Sequence, residues 1–588
     1  MKFKEKFAFY KKRIREGRLK EMRRQIRWIY SYAQRYWKEM IFYTALGMGG
    51  VGLSLVSSLI SRDMVDIITG RQAGELARTF AWMVGMNVAT LVVNQITSYF
   101  SGKISYQVDA EISTDIFSKI MVTDWESITS YHTGDLLTRW SSDASNISSG
   151  VLSFIPSAII NTFKFLASLW IVIRNDWTFA VFALIGIPFS MLMSKTLLTR
   201  MQQQNRKNAN MNAKMYGFNQ EAFSNIQTIK AFGLVRLYVA RLKQIRREYI
   251  DMQLSYSRLS MLTSFLLGII GLGVTYSCYG WGVYRVWSGV ISYGTMTMFL
   301  SLSGNLTGSV NSLASLVPGL ISLTTSASRL MDIVEMPRED YSDEERDSAF
   351  LEKHRQAGIS LTLKDLCYTY RTGTEVFRNA AIEAHPHEII GLVGPSGRGK
   401  TTMLRLILAL LRPQKGQIFL SSEGESIPMT PAARSFFAYV PQGNTMFMGT
   451  IAENMRNVAP EATDDEIKEA LRLACAWDFV EKLPDGINAP VQERGGGFSE
   501  GQAQRLAIAR AILRKAPILL LDEASSALDV ATERRVLRNI MQDSYPRVCI
   551  VTTHRPTVLS MCTRVYEITD KQCTVLKEEE IEALIRAF

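Results

Sequence analysis

Hydrophobicity divides the 588-residue chain into two unlike parts. From residue 40 to residue 323, apolar runs recur that are long enough, at about 20 residues each, to cross a bilayer. They fall near 40–60, 79–102, 151–173, 177–198, 259–284 and 295–323. Glycine patches in the first (Gly47, Gly49, Gly50, Gly52) and the fifth (Gly268, Gly271, Gly273) suit helices that pack closely in lipid. Past residue 357 short aliphatic runs alternate with amphipathic stretches, the mixture of a soluble α/β domain, beginning with strand-like Ile359 to Leu363. The stretch between, 335–356, is acidic and polar (Arg338-Glu-Asp-Tyr-Ser-Asp-Glu-Glu-Arg-Asp347) and reads as a linker. The expected organisation is an interfacial segment 1–38, a six-helix membrane region 39–334, the linker, and a soluble domain 357–588.

Charge adds an orientation. The net charge of +12 is largely local, with fourteen Lys/Arg in residues 1–38 against Glu5, Glu16 and Glu21. Trp28, Tyr30, Tyr32, Tyr36 and Trp37 are interleaved with them, which favours a basic helix at the headgroups of anionic lipid over a nucleic-acid arm. No nucleic-acid partner is expected. The connection 199–258 is also basic (Arg206, Lys207, Lys214, Lys230, Arg236, Arg241, Lys243, Arg246, Arg247), so it and the N-terminal arm belong on the cytoplasmic side. An even number of spans then leaves both termini in the cytoplasm, in a multi-pass protein of the cytoplasmic membrane. The connection 103–150 is net acidic and does not support the rule, though at its length it is a weak test. No apolar core of a signal peptide precedes residue 40. The six cysteines (Cys278, Cys367, Cys475, Cys549, Cys562, Cys573) form no CxxC pair, the pattern of reduced thiols and not of a disulfide framework or zinc site.

Chemistry concentrates in the soluble part. Gly394-Pro395-Ser396-Gly397-Arg398-Gly399-Lys400-Thr401, followed by Thr402, matches G-x-x-x-x-G-K-[ST]. It lies between an apolar run, Ile389 to Val393, and a helical pattern, Met403 to Leu411, the setting in which such a loop wraps phosphates at a helix N-terminus. Lys400 is placed to reach the β/γ-phosphates and the Thr401 hydroxyl to sit on Mg²⁺. Downstream, four aliphatic residues, Ile518 to Leu521, end in Asp522-Glu523. A buried strand that ends in carboxylates needs a cation, because an unpaired buried charge is costly. Asp522 is therefore read as a Mg²⁺ ligand and Glu523 as the residue that polarises an attacking water.

The order of phosphate loop, Ser499-Glu500-Gly501-Gln502, Asp522-Glu523, Ser526-Ala-Leu-Asp529 and His554 resembles ATP-binding cassette proteins over residues 361 to about 570. The resemblance implies that Tyr370 stacks on adenine. It implies that Gln442, in Tyr439-Val-Pro-Gln442, senses Mg²⁺ and contacts the membrane domain. Ser499, Gly501 and Gln502 would grip the γ-phosphate bound by the opposite subunit, Asp529 would lie between the two ATP sites, and His554 would contact the γ-phosphate. Tyr131-His-Thr-Gly-Asp-Leu-Leu-Thr-Arg139 with Ser142-Asp143, and Gln220 to Phe232, resemble the two cytoplasmic loops of exporters in this family, each bearing a short coupling helix. One departure is plain: the family's usual Leu-Ser-Gly-Gly-Gln is Phe498-Ser-Glu-Gly-Gln502 here.

The fold expected is a membrane α-helical bundle of exporter type fused to an α/β P-loop ATPase domain, one half of a dimeric transporter. Lys400, Gln442, Glu523 and His554 are the expected catalytic set, with ATP and Mg²⁺ as cofactors. The expected function is ATP-driven export of an amphipathic small molecule, peptide or lipid by alternating access, as a homodimer. The alternatives are one half of a heterodimer with a degenerate ATP site, or a lipid flippase; a non-pumping ATP-binding regulator conflicts with an intact hydrolytic set. Lys164 lies mid-way along the third span, where a charge is expensive unless it faces protein or a wet cavity. Asn161, Lys164 and Ser168 share one helical face, and Asn87 and Asn94 lie along the second span; these are the expected lining of a substrate cavity.

Overall fold

The structure, a computed structural model, describes residues 18–184, 207, 211–212, 214–443, 445–492, 495–524, 526–543, 545–553 and 555–587. Residues 185–198 of the fourth expected span and His554 lie outside the described residues. The chain forms two compact units. One runs to Thr123 and from Ser130 to Met336; the other combines Asp124–Thr129 with Pro337–Phe588.

The first unit is built mostly from long helices: α1 (Arg18–Ala33), α2 (Trp37–Ile68), α3 (Leu76–Met121), then, past α4 (Trp125–Ile128) of the second unit, α5 (Ala144–Asn175), α6 (Trp177–Leu184), α7 (Ile226–Ala231), α8 (Val235–Trp287) and α9 (Tyr293–Val334). Among the described residues four helical stretches, Arg23–Ile68, Leu76–Met121, Thr133–Asn175 and Val235–Trp287, are long and apolar enough to cross a membrane. They contain the first, second, third and fifth expected spans. The sixth lies on α9, 42 residues long and richer in Ser, Thr and Gly.

At 46 residues, α3 extends about 70 Å at 1.5 Å per residue, more than twice the hydrocarbon thickness of about 30 Å. Its polar part stays helical because Ile104, Val108, Ile112 and Ile116, spaced by four, bury one stripe against Tyr32, Tyr43, Ile147 and Leu330. The basic arm contributes directly: Tyr32 donates to Asp115 at 2.5 Å, and Arg35 and Tyr36 both donate to Glu111. At the other end of α2, the buried Asp66 accepts from Ser292 Oγ at 2.7 Å and from the Gly294 amide at 3.0 Å. A Cβ at 294 would lie 2.3 Å from the Arg62 carbonyl, so only glycine allows α9 to start there.

In the second unit, α4 (Trp125–Ile128) joins the domain that begins at Pro337. The acidic stretch read as a linker carries a helix, α10 (Glu344–His354), with acids in its first turn and Lys353 and His354 in its last, as the helix dipole favours. Its buried Phe350 belongs to the domain core, and its buried Asp347 accepts from Arg346 and Thr430. The strands of its two larger sheets are β1 (Ser360–Thr369), β2 (Glu375–Ala384), β3 (Ile389–Val393), β4 (Lys415–Ser422), β5 (Glu425–Pro428), β6 (Phe437–Val440), β7 (Ile518–Asp522), β8 (Val548–Thr552), β9 (Arg564–Thr569) and β10 (Gln572–Val575). One sheet is antiparallel, in the order β2-β1-β4-β5; the other runs β10-β9-β3-β8-β7-β6 and is parallel except at β10. β3, β7 and β8 are buried at every position, as strands covered on both faces must be.

Candidate active site

Parallel pairing aligns Leu392, Thr552 and Asp522 across β3, β8 and β7, so the chain leaves all three strands at one edge of the sheet. In open α/β sheets that edge is where ligands bind. From β3 the chain enters the loop Gly394–Gly399 and then α11 (Lys400–Ile407). Gly394 has φ +142°, and a Cβ there would lie 2.4 Å from the Ile568 carbonyl. Gly399, at φ +117°, would meet Val376 at 2.6 Å. Both positions therefore require glycine. Pro395, Ser396, Gly397 and Arg398 form the exposed crest of the loop, while Lys400 is buried beneath it and donates to the Gly394 carbonyl at 2.7 Å. Burial lowers the Lys400 pKa, and Glu523 and Asp522 oppose that shift.

Asp522, also buried, accepts from Thr552 Oγ1 at 2.9 Å, from Thr401 Oγ1 at 3.4 Å and from Tyr439 at 3.4 Å. The Tyr439 phenol is pushed well above its usual pKa by burial and by Asp522. Glu523 turns out of the strand at φ +49°. A non-glycine residue in that region costs of order 1–3 kcal/mol and persists where its surroundings fix it. Here its amide donates to Thr552 Oγ1 at 2.8 Å, and its carboxylate accepts from Gln442 Nε2 at 2.7 Å. A buried carboxylate beside a threonine hydroxyl, next to a glycine loop, suits Mg²⁺ shared with phosphate oxygens. Among the described residues no group of three or more His, Cys, Asp or Glu forms a metal cage.

Tyr370 bonds through its hydroxyl to Thr402 Oγ1 at 2.9 Å and packs edge-on against Tyr368. The remaining predicted residues form a second group. Ser499 and Gln502 cap α12 (Glu500–Leu513) reciprocally, at 3.3 and 2.9 Å. Glu500 is exposed in the first turn on ordinary helical backbone. Gly501 does need to be glycine, since a Cβ there would lie 2.8 Å from the Ala527 carbonyl. Asp529 caps α13 (Val530–Gln542) by accepting from the Thr532 amide at 3.0 Å, and hydrogen bonding from the Thr532 side chain, then from this amide, lowers its pKa. Sequence reasoning missed Arg555, which donates to the Leu528 carbonyl at 2.7 Å and to the buried Glu533 at 3.2 Å, fixing the Asp529 loop from the β8 side.

The residues expected to line a cavity are not gathered by hydrogen bonds. Asn87 accepts from Ser57 on α2 at 3.1 Å, and Asn161 donates back to Ser157 on its own helix. Asn94 faces Gly50, and Lys164 is half-buried on α5. Ser168 is fully buried, with its hydroxyl unpaired. Of the two loops, Gln220–Phe232 breaks at Asn225 and continues as α7, with Phe223 and Phe232 exposed. In the other, the segment that joins the second unit is α4, upstream of Tyr131–Arg139.

Two family models match the chain: the ABC transporter transmembrane region over residues 40–310, and the ABC transporter over residues 377–526. Together they cover more than half of it. A putative export ATP-binding/permease protein of Rickettsia bellii is 26% identical over 533 residues, spanning 89% of this chain and 90% of its own. A multidrug resistance ABC transporter ATP-binding and permease protein of Lactococcus lactis is 25% identical, with 91% and 90% covered. An ATP-dependent lipid A-core flippase of Bordetella avium is 26% identical, again with 91% and 90% covered. The structure of a bacterial Atm1-family ABC exporter with ATP bound superposes with a TM-score of 0.81 over 94% of this chain and 97% of that one, at 19% identity. That last likeness is one of fold.

Proposed function

The chain belongs to the ATP-binding cassette transporters, as a half-transporter that hydrolyses ATP to drive export, and on that premise we propose that two identical copies form the working unit. The observation that carries this is the backbone at Glu500, which is helical and has no need of glycine. The carboxylate lies in the first turn of α12, where the helix dipole favours an acid, while Gly501 keeps the glycine that close approach to Ala527 demands. Each copy then offers an undamaged Ser499, Gly501 and Gln502 to the ATP of the other, with Asp529 between the sites. The purified chain alone should hydrolyse ATP. A chain inert by itself, but active once mixed with a second half-transporter, would establish the heterodimer instead.

Within each site, the loop 394–402 takes the phosphates through Lys400 and its backbone N–H groups, of which Pro395 has none, and Tyr370 takes the adenine. Thr401, Asp522 and Gln442 would hold Mg²⁺, which when bound offsets phosphate charge. Glu523, oriented by Gln442, positions and deprotonates the water for in-line attack; His554 is assigned to the γ-phosphate. The transported class is an amphipathic small molecule, peptide or lipid, in keeping with relatives named for multidrug resistance and for lipid A-core flipping. Lys164, Asn161, Asn87 and Asn94 are assigned to its cavity, and the cytoplasmic membrane is the proposed location, with both termini inside. ATPase activity in lipid vesicles, screened for stimulation by lipids, peptides and amphipathic drugs, tests the substrate class.

A further inference from the structure

Two charges beside the phosphate-binding groups stay exposed: Arg398 on the crest of the phosphate loop, and Glu500 in the first turn of α12. Among the described residues neither side chain makes a hydrogen bond or an ion pair. Their neighbours are tightly held. Lys400, two residues past Arg398, is buried and bonded to the Gly394 carbonyl, and Ser499, next to Glu500, caps its helix. Neither charge is dictated by its motif. Position 398 is a variable one in G-x-x-x-x-G-K-[ST], and Glu500 stands where the usual signature has glycine.

The glycines beside them set their directions. Gly394 and Gly399 are pressed against Ile568 and Val376 of their own domain, so residues 395–398 between them stand away from it. Gly501 is pressed against the Ala527 carbonyl. One residue earlier on a helix is turned by about 100°, which takes the Glu500 side chain off that contact and leaves it at the open end of α12. That end also carries Ser499, read as gripping the γ-phosphate held by the phosphate loop of the other copy. The crest of one copy and the first turn of α12 in the other therefore converge on the same phosphates.

A carboxylate brought beside a triphosphate is repelled by it. A guanidinium between the two removes that repulsion, and its planar fork suits carboxylate and phosphate alike. We propose that Arg398 of each copy pairs with the partner's Glu500 across the bound ATP, so that the same ion pair closes both sites of the ATPase dimer. The pair rests on the homodimer reading, and it gives the acid in the signature a purpose. Twofold symmetry repeats the contact of residue i with j as one of j with i, so two copies of one chain neutralise both charges at both sites. A subunit with glycine in place of Glu500 would leave Arg398 unmatched. Because the pair forms only on closure, it acts on the ATP concentration at which the dimer closes.

The experiment uses the full chain in phosphatidylethanolamine–phosphatidylglycerol vesicles. In one arm, chains carrying both Arg398→Cys and Glu500→Cys meet a short bismaleimide with a non-hydrolysable ATP analogue. A dimer-sized product should form that needs both substitutions and the analogue; the wild-type chain and the single variants control for the native cysteines. The other arm measures KM for ATP. Arg398→Gln and Glu500→Gln should each raise it about threefold, the scale of an exposed ion pair lost at two sites, and the double variant should raise it no further. No cross-link, an unchanged KM in either single variant, or a double effect equal to the product of the single ones overturns the pair. Glu500 then serves only the dipole of its own helix, and Arg398 only the phosphates of its own site. A wild-type chain inert alone but active with a second half-transporter fails the homodimer reading and the pair with it. A chain active alone that yields no cross-link refutes the pair by itself.

Discussion

The residues of the nucleotide site and those expected to line the substrate cavity are held in different ways. Asp522 is fixed by Thr552 and Tyr439, Glu523 by Gln442 and by its own strained backbone, and Ser499 by a reciprocal cap. Asp522 and Glu523 meet partners from distant parts of the chain, and Ser499 is locked by the first turn of its own helix. In the membrane unit, Asn161 bonds to a carbonyl of its own helix, Asn87 to its own helix and one neighbour, and the Ser168 hydroxyl to no atom among the described residues. On the proposed function, the difference follows from what each site would handle. Phosphoryl transfer presents the same charges at every turnover, and preorganised groups stabilise them best. A cavity for amphipathic cargo gains from side chains that are not already committed.

The sharpest way to break this contrast is at Glu523. Replacement by Gln should lower phosphate release by about a hundredfold or more, the usual worth of a positioned general base, while nucleotide binding is retained. A Glu523→Gln chain hydrolysing at near the wild-type rate would remove the fixed constellation from the ATPase side of the comparison.

Neighbouring positions in the signature turn should then separate cleanly. Gly501→Ala places a carbon 2.8 Å from the Ala527 carbonyl, and strain of about 1–3 kcal/mol should slow hydrolysis about tenfold. Glu500→Gly removes only an exposed carboxylate from a helical position and should change the rate less than about threefold, since helix propensity there is worth at most about 1 kcal/mol. Steady-state ATPase of the two variants checks the order; a reversal would mean that position 500, not 501, governs approach to ATP.

How much of this could be read beforehand follows the same division. The phosphate loop was legible because its glycines answer a backbone requirement, visible at Gly394 and Gly399. The Asp522-Glu523 pair was legible because carboxylates at the end of an aliphatic run are an anomaly. Arg555 was not, since a loop arginine carries no period and its partners lie more than twenty residues away in sequence. The helix α10 hid in an acidic stretch because only Phe350, with the buried Asp347 and His354 at helical spacing, marks its inner face. The placement of α4 was missed because the resemblance lay in the following residues, Tyr131–Arg139. In the membrane unit, long helices were legible from hydropathy alone, while the polar residues gave spacing without partners.

Lys164 tests the membrane side. If, as proposed, this mid-span cation faces the substrate cavity, it should matter to cargo and not to nucleotide. Lys164→Ala should leave basal ATPase unchanged and lower the stimulation by amphipathic compounds about threefold, roughly the effect of one exposed charge contact. Unaltered stimulation and transport would return Lys164 to a residue that reaches water for its own solvation.

The smallest effect separates strut from lining at Asn87. Ser57, buried on α2, donates to Asn87 Oδ1 at 3.1 Å, and Asn87 Nδ2 donates to the Met83 carbonyl at 3.0 Å. Interhelical hydrogen bonds within a membrane contribute about 0.6 kcal/mol on average, so Ser57→Ala and Asn87→Ala should each lower the unfolding midpoint slightly and by similar amounts. The double variant should add nothing further, because both single changes remove the same bond. An asparagine amide has two hydrogens and two lone pairs, and the two bonds here leave one of each for a ligand. Asn87→Ala should therefore also reduce stimulated ATPase, which Ser57→Ala should spare. Equal effects of the two substitutions on stimulation would make Asn87 a strut between α2 and α3, and the cavity would lose one of its four assigned residues.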